Sequence, residues 1–335
     1  MIWLAWRRHR LALIVVGGAL AALALWLFIV AHSFEEAMHS HPHNGCIKNL
    51  IDCNGVSHGV FALQNQAGFL SLFLFLVPCL LGVVLGAPLV AGEIQQRTNR
   101  LAWTQNISRT RWLAIKWLVV GVIAMALVAL LQILVQWWSG HVLINFLETG
   151  SLLGSNRITP RLFGVTGVVP IAYTFFAFAL GAALGAIFRR TVWAVVGTIV
   201  VYGAATALMV FNIRAYQLSS PIFVQQKFTL SGPSVTYVPQ IVLRQPAWNL
   251  GYSFRLAPGF SSASSANEIA QRCQDQNYNF APYLHCLAAH HVEAGSFFQP
   301  ANRYWQLQWS EAAIYVAAAL VLFGLALWAV RRWRA

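Results

Sequence analysis

Ten histidines, five cysteines and nine acidic residues are the groups in this 335-residue chain whose types could do chemistry. His39, His41 and His43 set three imidazoles within five residues, and His290 and His291 lie near Cys273 and Cys286. Imidazole and thiolate are the usual protein ligands of zinc and copper, so a metal site or a pH sensor is one reading. Pro42 interrupts regular geometry between the first three, and no tetrahedral set closes from neighbouring positions. Solvated loop histidines are therefore the expectation, and no metal is assigned. Cys46 with Cys53, and Cys273 with Cys286, read as two local disulfides. Free thiols or cross-pairing stay open, because sequence alone does not fix connectivity. Catalytic constellations are missing: the chain has no H-E-x-x-H, no G-x-S-x-G elbow and no paired acids in an apolar run. It also lacks the G-x-x-x-x-G-K-[ST] loop that cradles phosphates. The expectation is a chain that performs no covalent chemistry and carries no cofactor of its own.

The elements that would position these groups are apolar. Hydrophobic residues make up 58% of the chain and charged ones 9%, a membrane composition. Six runs, near residues 11–30, 69–91, 113–136, 163–187, 192–211 and 311–330, approach the ~20 residues a helix needs to cross a bilayer. The predicted fold is an all-α polytopic membrane protein of six transmembrane helices. Alternate connecting segments differ sharply in charge. One set holds Arg7, Arg8, Arg10, Arg97, Arg100, Arg109, Arg111, Lys116, Arg189, Arg190, Arg331, Arg332 and Arg334, with Glu93 as its lone acid. The other set is nearly neutral. Basic residues mark cytoplasmic loops, which predicts that both termini are cytoplasmic. The net charge of +13 then reports topology, with no nucleic-acid partner. Tryptophans near the ends of the runs, among them Trp112, Trp117, Trp137 and Trp138, fit headgroup-level anchors. WRRHR before the first run resembles a signal peptide, but the run's length and the lack of a clear cleavage site predict a retained helix.

Three parts follow. Residues 1–211 hold helices one to five, an outer loop at 31–67 and a cytoplasmic loop at 92–112. Residues 212–309 form an extracytoplasmic domain of mixed α/β character. Its first half (VQQKFTL, SVTYVPQIVL) clusters strand formers around Gly232-Pro233, and residues 268–292 read as helical with a break near Pro282. Residues 310–335 supply helix six and a basic tail. The runs are almost free of ionisable groups, with Glu311 expected at the outer edge of the sixth. Ion-coupled carriers keep such groups at bilayer depth, so that class is disfavoured. Gly82-x-x-x-Gly86 and Gly181-x-x-x-Gly185 permit close helix approach, within one chain or between two. Tyr202 and Thr206 are polar enough to face a path through the membrane, and packing inside the bundle accounts for them equally.

Residues 86–116 (GAPLVAGEIQQRTNRLAWTQNISRTRWLAIK) present polar and apolar groups between runs two and three. Such a segment is a docking element for a soluble partner or an ordinary interfacial turn. Its Pro88, Leu89, Ala91, Glu93, Thr98, Arg100, Leu101, Ala102, Trp103, Thr104 and Gln105, followed by Arg109, Trp112 and Lys116, resemble the permeases of type 2 ABC transporters. The likeness is to a six-span group common in actinobacteria. Gln95 stands where that group has a second acid, and Arg97 where it has glycine. The opening MIWLAWRRHR, the late QPANRYWQLQWSEAAIYVA and Arg331-Arg332 are also similar to that group.

The resemblance implies the permease subunit of an ATP-driven exporter in a bacterial plasma membrane. ATP and magnesium would be bound by a separate cytoplasmic ATPase, and a second permease, identical or not, would complete the assembly. Glu93, Thr98, Arg100, Trp103, Thr104, Gln105 and Arg109 would meet the ATPase, with Glu93 facing a basic surface. The arginines serve equally well as membrane anchors. An apolar lining implies a hydrophobic or amphipathic substrate. Two other classes are a non-transporting sensor that uses residues 212–309, and a metal-dependent membrane enzyme that uses the outer histidines.

Overall fold

The computed structural model describes residues 2–39, 54–95, 108–148, 157–225, 228–231, 234–237, 247–262, 264–276 and 280–332. Cys46, Cys53, His41, His43, Thr98, Arg100, Trp103, Thr104 and Gln105 lie outside them. The chain divides into two compact units, residues 1–211 with 305–335, and residues 212–304.

The first unit is a helical bundle. Its elements are α1 (Ile2–His39), α2 (Asn54–Leu81), a π-helical turn (Gly82–Gly86), α3 (Ala87–Gln95), α4 (Arg109–Glu148), the short α5 (Pro160–Phe163), α6 (Val169–Phe188), α7 (Thr191–Leu208) and α10 (Tyr304–Arg331). Six stretches are long and apolar enough to span a membrane: Arg10–Ser33, Gly68–Gln95, Thr110–Gly140, Val169–Phe188, Thr191–Tyr216 and Ala301–Arg331. Their outward faces carry Leu11, Ile14, Phe73, Leu130, Val192 and Val321, all exposed, as a lipid-facing surface requires. The basic WRRHR belongs to the first turns of α1.

Lipid supplies no hydrophobic drive between helices, so close packing must hold the bundle. The two glycine pairs provide it within one chain. A Cβ built on Gly82 would sit 2.5 Å from the Ala177 carbonyl oxygen, and one on Gly86 2.6 Å from that of Phe178. On α6, a Cβ on Gly181 would meet the Ala87 nitrogen at 2.7 Å, and one on Gly185 the Ala87 oxygen at 2.7 Å. Helix α6 is accordingly buried along most of its length. Aromatic residues fill the wider gaps. Trp117 stacks on Phe323 at 4.3 Å and meets Phe175 edge-on at 5.2 Å. Trp112 and Trp138 are buried as well, so these tryptophans pack inside the bundle, and Trp137, which stacks on Phe28 at 6.0 Å, keeps partial exposure.

Gln308 explains the start of α6. Its Oε1 accepts from the Val168 and Val169 N–H groups at 3.0 and 2.9 Å. Its Nε2 donates to the Phe163 and Thr166 carbonyls at 3.0 and 3.1 Å. One buried amide thus satisfies four backbone groups at a helix end that would otherwise be orphaned.

The second unit has a three-stranded antiparallel sheet in the order β1 (Ile222–Gln225), β5 (Val292–Pro300), β4 (Ala247–Leu256), and a hairpin of β2 (Phe228–Ser231) with β3 (Ser234–Tyr237). A bulge shifts the β4–β5 register between Asn249 and Gly251, where Gly251 has φ +128°. Helices α8 (Ala266–Gln276) and α9 (Phe280–Ala289) cover the sheet through Ile269, Ala270, Leu284 and Leu287, packed with Val292 and Ala294. The Cys273–Cys286 disulfide joins them, with Cα atoms 5.7 Å apart. The helical stretch expected over 268–292 is therefore two helices. Pro282 lies in the first turn of the second, where a missing N–H costs nothing. Inside this unit the Gln299 amide donates to the Ala215 carbonyl at 3.2 Å, and Arg303 donates to the Ser219 hydroxyl at 2.7 Å.

Candidate coupling site

Helix α3 ends at Gln95 and α4 begins at Arg109, so both flank the segment that carries the resemblance. Ser108 caps α4, its hydroxyl accepting from the Arg111 N–H at 3.3 Å. Two turns into α4, Lys116 lies over the Trp112 ring, its ammonium 4.3 Å from the centroid. Glu93 forms an ion pair with this Lys116. Both residues are buried, at 4% and 8% exposure. The basic partner expected for Glu93 is thus met inside the chain, by α4. The attraction of the lysine offsets part of the solvation that a buried carboxylate loses.

A second tie leaves the last residue of α3. The Thr191 hydroxyl donates to the Gln95 Oε1 at 2.8 Å, joining α3 to the first residue of α7. Arg189 has left-handed backbone (φ 57°), its N–H returns to the Gly185 carbonyl at 3.1 Å, and Arg190 is extended. Two residues, Arg189 and Arg190, therefore suffice to reverse the chain between α6 and α7 in a tight hairpin. Of the other residues expected to meet an ATPase, Arg109 opens α4, and the remaining five lie outside the described residues.

Tyr202 and Thr206 sit together on α7. The Thr206 hydroxyl is spent on its own helix, at 2.9 Å from the Tyr202 carbonyl. Tyr202 is 3% exposed, and its hydroxyl has no hydrogen-bond partner among the described residues. Its ring meets Tyr173 edge-on at 6.3 Å. Glu311, expected at the outer edge of the sixth run, lies inside the bundle. Helix α10 starts seven residues earlier, and Glu311 is fully buried, accepting from the Tyr173 hydroxyl. Hydropathy missed it because the polar YWQLQWS stretch does not look like membrane. The spacing of Gln308, Glu311 and Tyr315, which share one helical face, was the available signal. Among the described residues no cluster of histidine, cysteine and acid approaches a metal-binding arrangement.

Comparison with known proteins agrees with this architecture. No curated protein and no solved structure matches the chain. The family model described as "ABC-2 membrane transporter related" matches residues 17–214, which take in five of the six spans, the glycine-packed core, the Glu93–Lys116 pair and the segment between them. More than half of the chain is covered, and the protein belongs to this family as a multi-pass membrane subunit of a transporter.

Proposed function

We propose that the chain is the permease subunit of an ATP-driven exporter in a bacterial plasma membrane, with both termini, the 92–112 loop and the Arg189-Arg190 hairpin tip on the cytoplasmic face. A separate ATPase binds ATP and magnesium and docks on residues 96–107, and two permeases, identical or not, enclose the path. The observation that carries this reading is the buried Glu93–Lys116 pair. It fixes the two helices on either side of the docking segment to each other, so a push on that segment moves helices and not a slack loop. Trp103, Thr98, Arg100, Thr104, Gln105 and Arg109 supply the docking surface, and Glu93 holds it in place. The apolar spans favour a hydrophobic or amphipathic substrate. Of the two path residues, Tyr202 has a buried hydroxyl with no partner among the described residues, whereas that of Thr206 is bonded to its own helix.

The test is affinity purification of the tagged chain from its native membrane, followed by measurement of ATP hydrolysis. Co-purification of an ATPase, with association weakened about tenfold or more by Trp103→Ala, is the expected result. A stable, folded chain that brings down no ATPase and hydrolyses no nucleotide would refute the reading.

A further inference from the structure

We infer that the α6–α7 hairpin receives the stroke delivered to residues 96–107, and that Gly185, Gln95 and Thr191 are the positioning residues that pass it on. The inference rests on the permease reading above. Helix α3 has nine residues, about 13 Å of rigid rod, and it stands directly before the docking segment. It is fixed to the hairpin near both of its ends. At the start, the Ala87 carbonyl lies where a Cβ on Gly185 would come within 2.7 Å, and the Ala91 nitrogen within 3.5 Å. Backbone packed on backbone leaves no side-chain layer to absorb a displacement. At the far end, Gln95 accepts the Thr191 hydroxyl hydrogen bond at 2.8 Å.

A third tie, the buried ion pair with Lys116, holds α3 to α4. Motion of α3 therefore reaches α7 as well as α4. From Thr191, helix α7 runs about 16 Å to Tyr202, the path residue with the unpartnered hydroxyl. Gln95 suits this role as a neutral acceptor. It takes the threonine hydrogen bond without setting a second negative charge two residues from Glu93.

Hydrogen–deuterium exchange on the co-purified permease–ATPase complex, with and without Mg-ATP and vanadate, tests the inference. In the wild type, nucleotide trapping is expected to change exchange at residues 189–196 and at residues 109–116. Thr191→Val and Gln95→Ala should cut the 189–196 response about threefold or more while the 109–116 response persists, which also shows that the variant is folded and docked. Thr191→Ser keeps the hydrogen bond and should restore the response. A hairpin response that survives Thr191→Val and Gln95→Ala would overturn the inference, as would loss of the ATPase from either variant. An ATPase bound to wild type with a silent hairpin would sink this inference alone. No ATPase at all would remove the permease reading together with it.

Discussion

The Tyr173 hydroxyl donates to the Glu311 carboxylate in the interior of the bundle, joining α6 to α10. Aromatic rings surround the bond: Tyr315 lies 4.6 Å from Tyr173, and Phe176 lies 5.1 Å from Tyr315. Tyr315 in turn donates to the Ala205 carbonyl of α7 at 3.2 Å. A carboxylate taken from water into such surroundings loses several kcal/mol of solvation unless polar groups replace it. The tyrosine hydroxyl is one such group, and it spends its own desolvation on the same contact.

Tyr173→Phe is therefore expected to destabilise the chain by about 1.5–3 kcal/mol, the range for a hydrogen bond to a charged group. Glu311→Gln, which keeps an acceptor for the tyrosine, should cost less than Glu311→Ala. Thermal unfolding of the purified chain in a neutral detergent, followed by helical circular dichroism, gives the ranking. Wild-type melting of Tyr173→Phe would show that the bond carries no net weight.

Glycines in the bundle fall into two kinds, and they should respond oppositely to alanine. At Gly181 a Cβ would come within 2.7 Å of the Ala87 nitrogen, whereas at Gly203 nothing lies within 4 Å. Gly181→Ala must push α6 off α3 and is expected to cost about 1–3 kcal/mol, as overpacking does. Gly203→Ala meets open space and removes a poor helix former, so it should be neutral or stabilise by up to about 1 kcal/mol. The same melting experiment compares them. Equal losses at both positions would mean that helix approach is not what Gly181 provides.

The second unit leans on its crosslink. The Cys273–Cys286 bond closes a short loop between α8 and α9 and sits in the small apolar cluster with Ile269, Leu284 and Leu287. Removing it by the double change Cys273→Ala with Cys286→Ala should cost about 3 kcal/mol by the loop-closure estimate. Limited proteolysis should then cut the α8–α9 region first, at protease levels that leave the oxidised chain intact. Unchanged cleavage kinetics would show that the helices hold without the bond.

Much of the bundle was legible in the sequence because hydropathy and small-residue spacing report directly on the physics of lipid contact. The six runs and the Gly82/Gly86 and Gly181/Gly185 pairs are examples. What escaped is where polar residues are satisfied internally. Gln308 and Glu311 make the start of α10 look like a loop, yet their partners on α5 and α6 hold one face of a helix there. In the second unit β4 was not recognised, since the bulge at Gly251 breaks the alternation that marks a strand. Glu93 stands out in the sequence as the lone acid among the basic segments. Its pairing with Lys116 could not be read there, because the two lie on different helices with residues 96–107 between them. Nor does any spacing rule point from Gln95 to Thr191.

The Glu93–Lys116 pair allows a test in which charge and position are separated. Either single reversal, Glu93→Lys or Lys116→Glu, buries two like charges side by side and is expected to cost about 3–5 kcal/mol, as breaking a buried pair does. The double reversal restores the attraction but moves the lysine away from the Trp112 ring, 4.3 Å from the present ammonium. Recovery should therefore be partial, short of wild type by about 0.5–2 kcal/mol for the lost cation–π contact. Expression level and melting temperature of the four proteins report stability, and their yield of co-purified ATPase reports function. Stability and ATPase yield should rise together in the double variant if the pair acts by holding α3 against α4. A double variant that folds like wild type yet retains no ATPase would instead mean that the partner reads the Glu93 carboxylate itself.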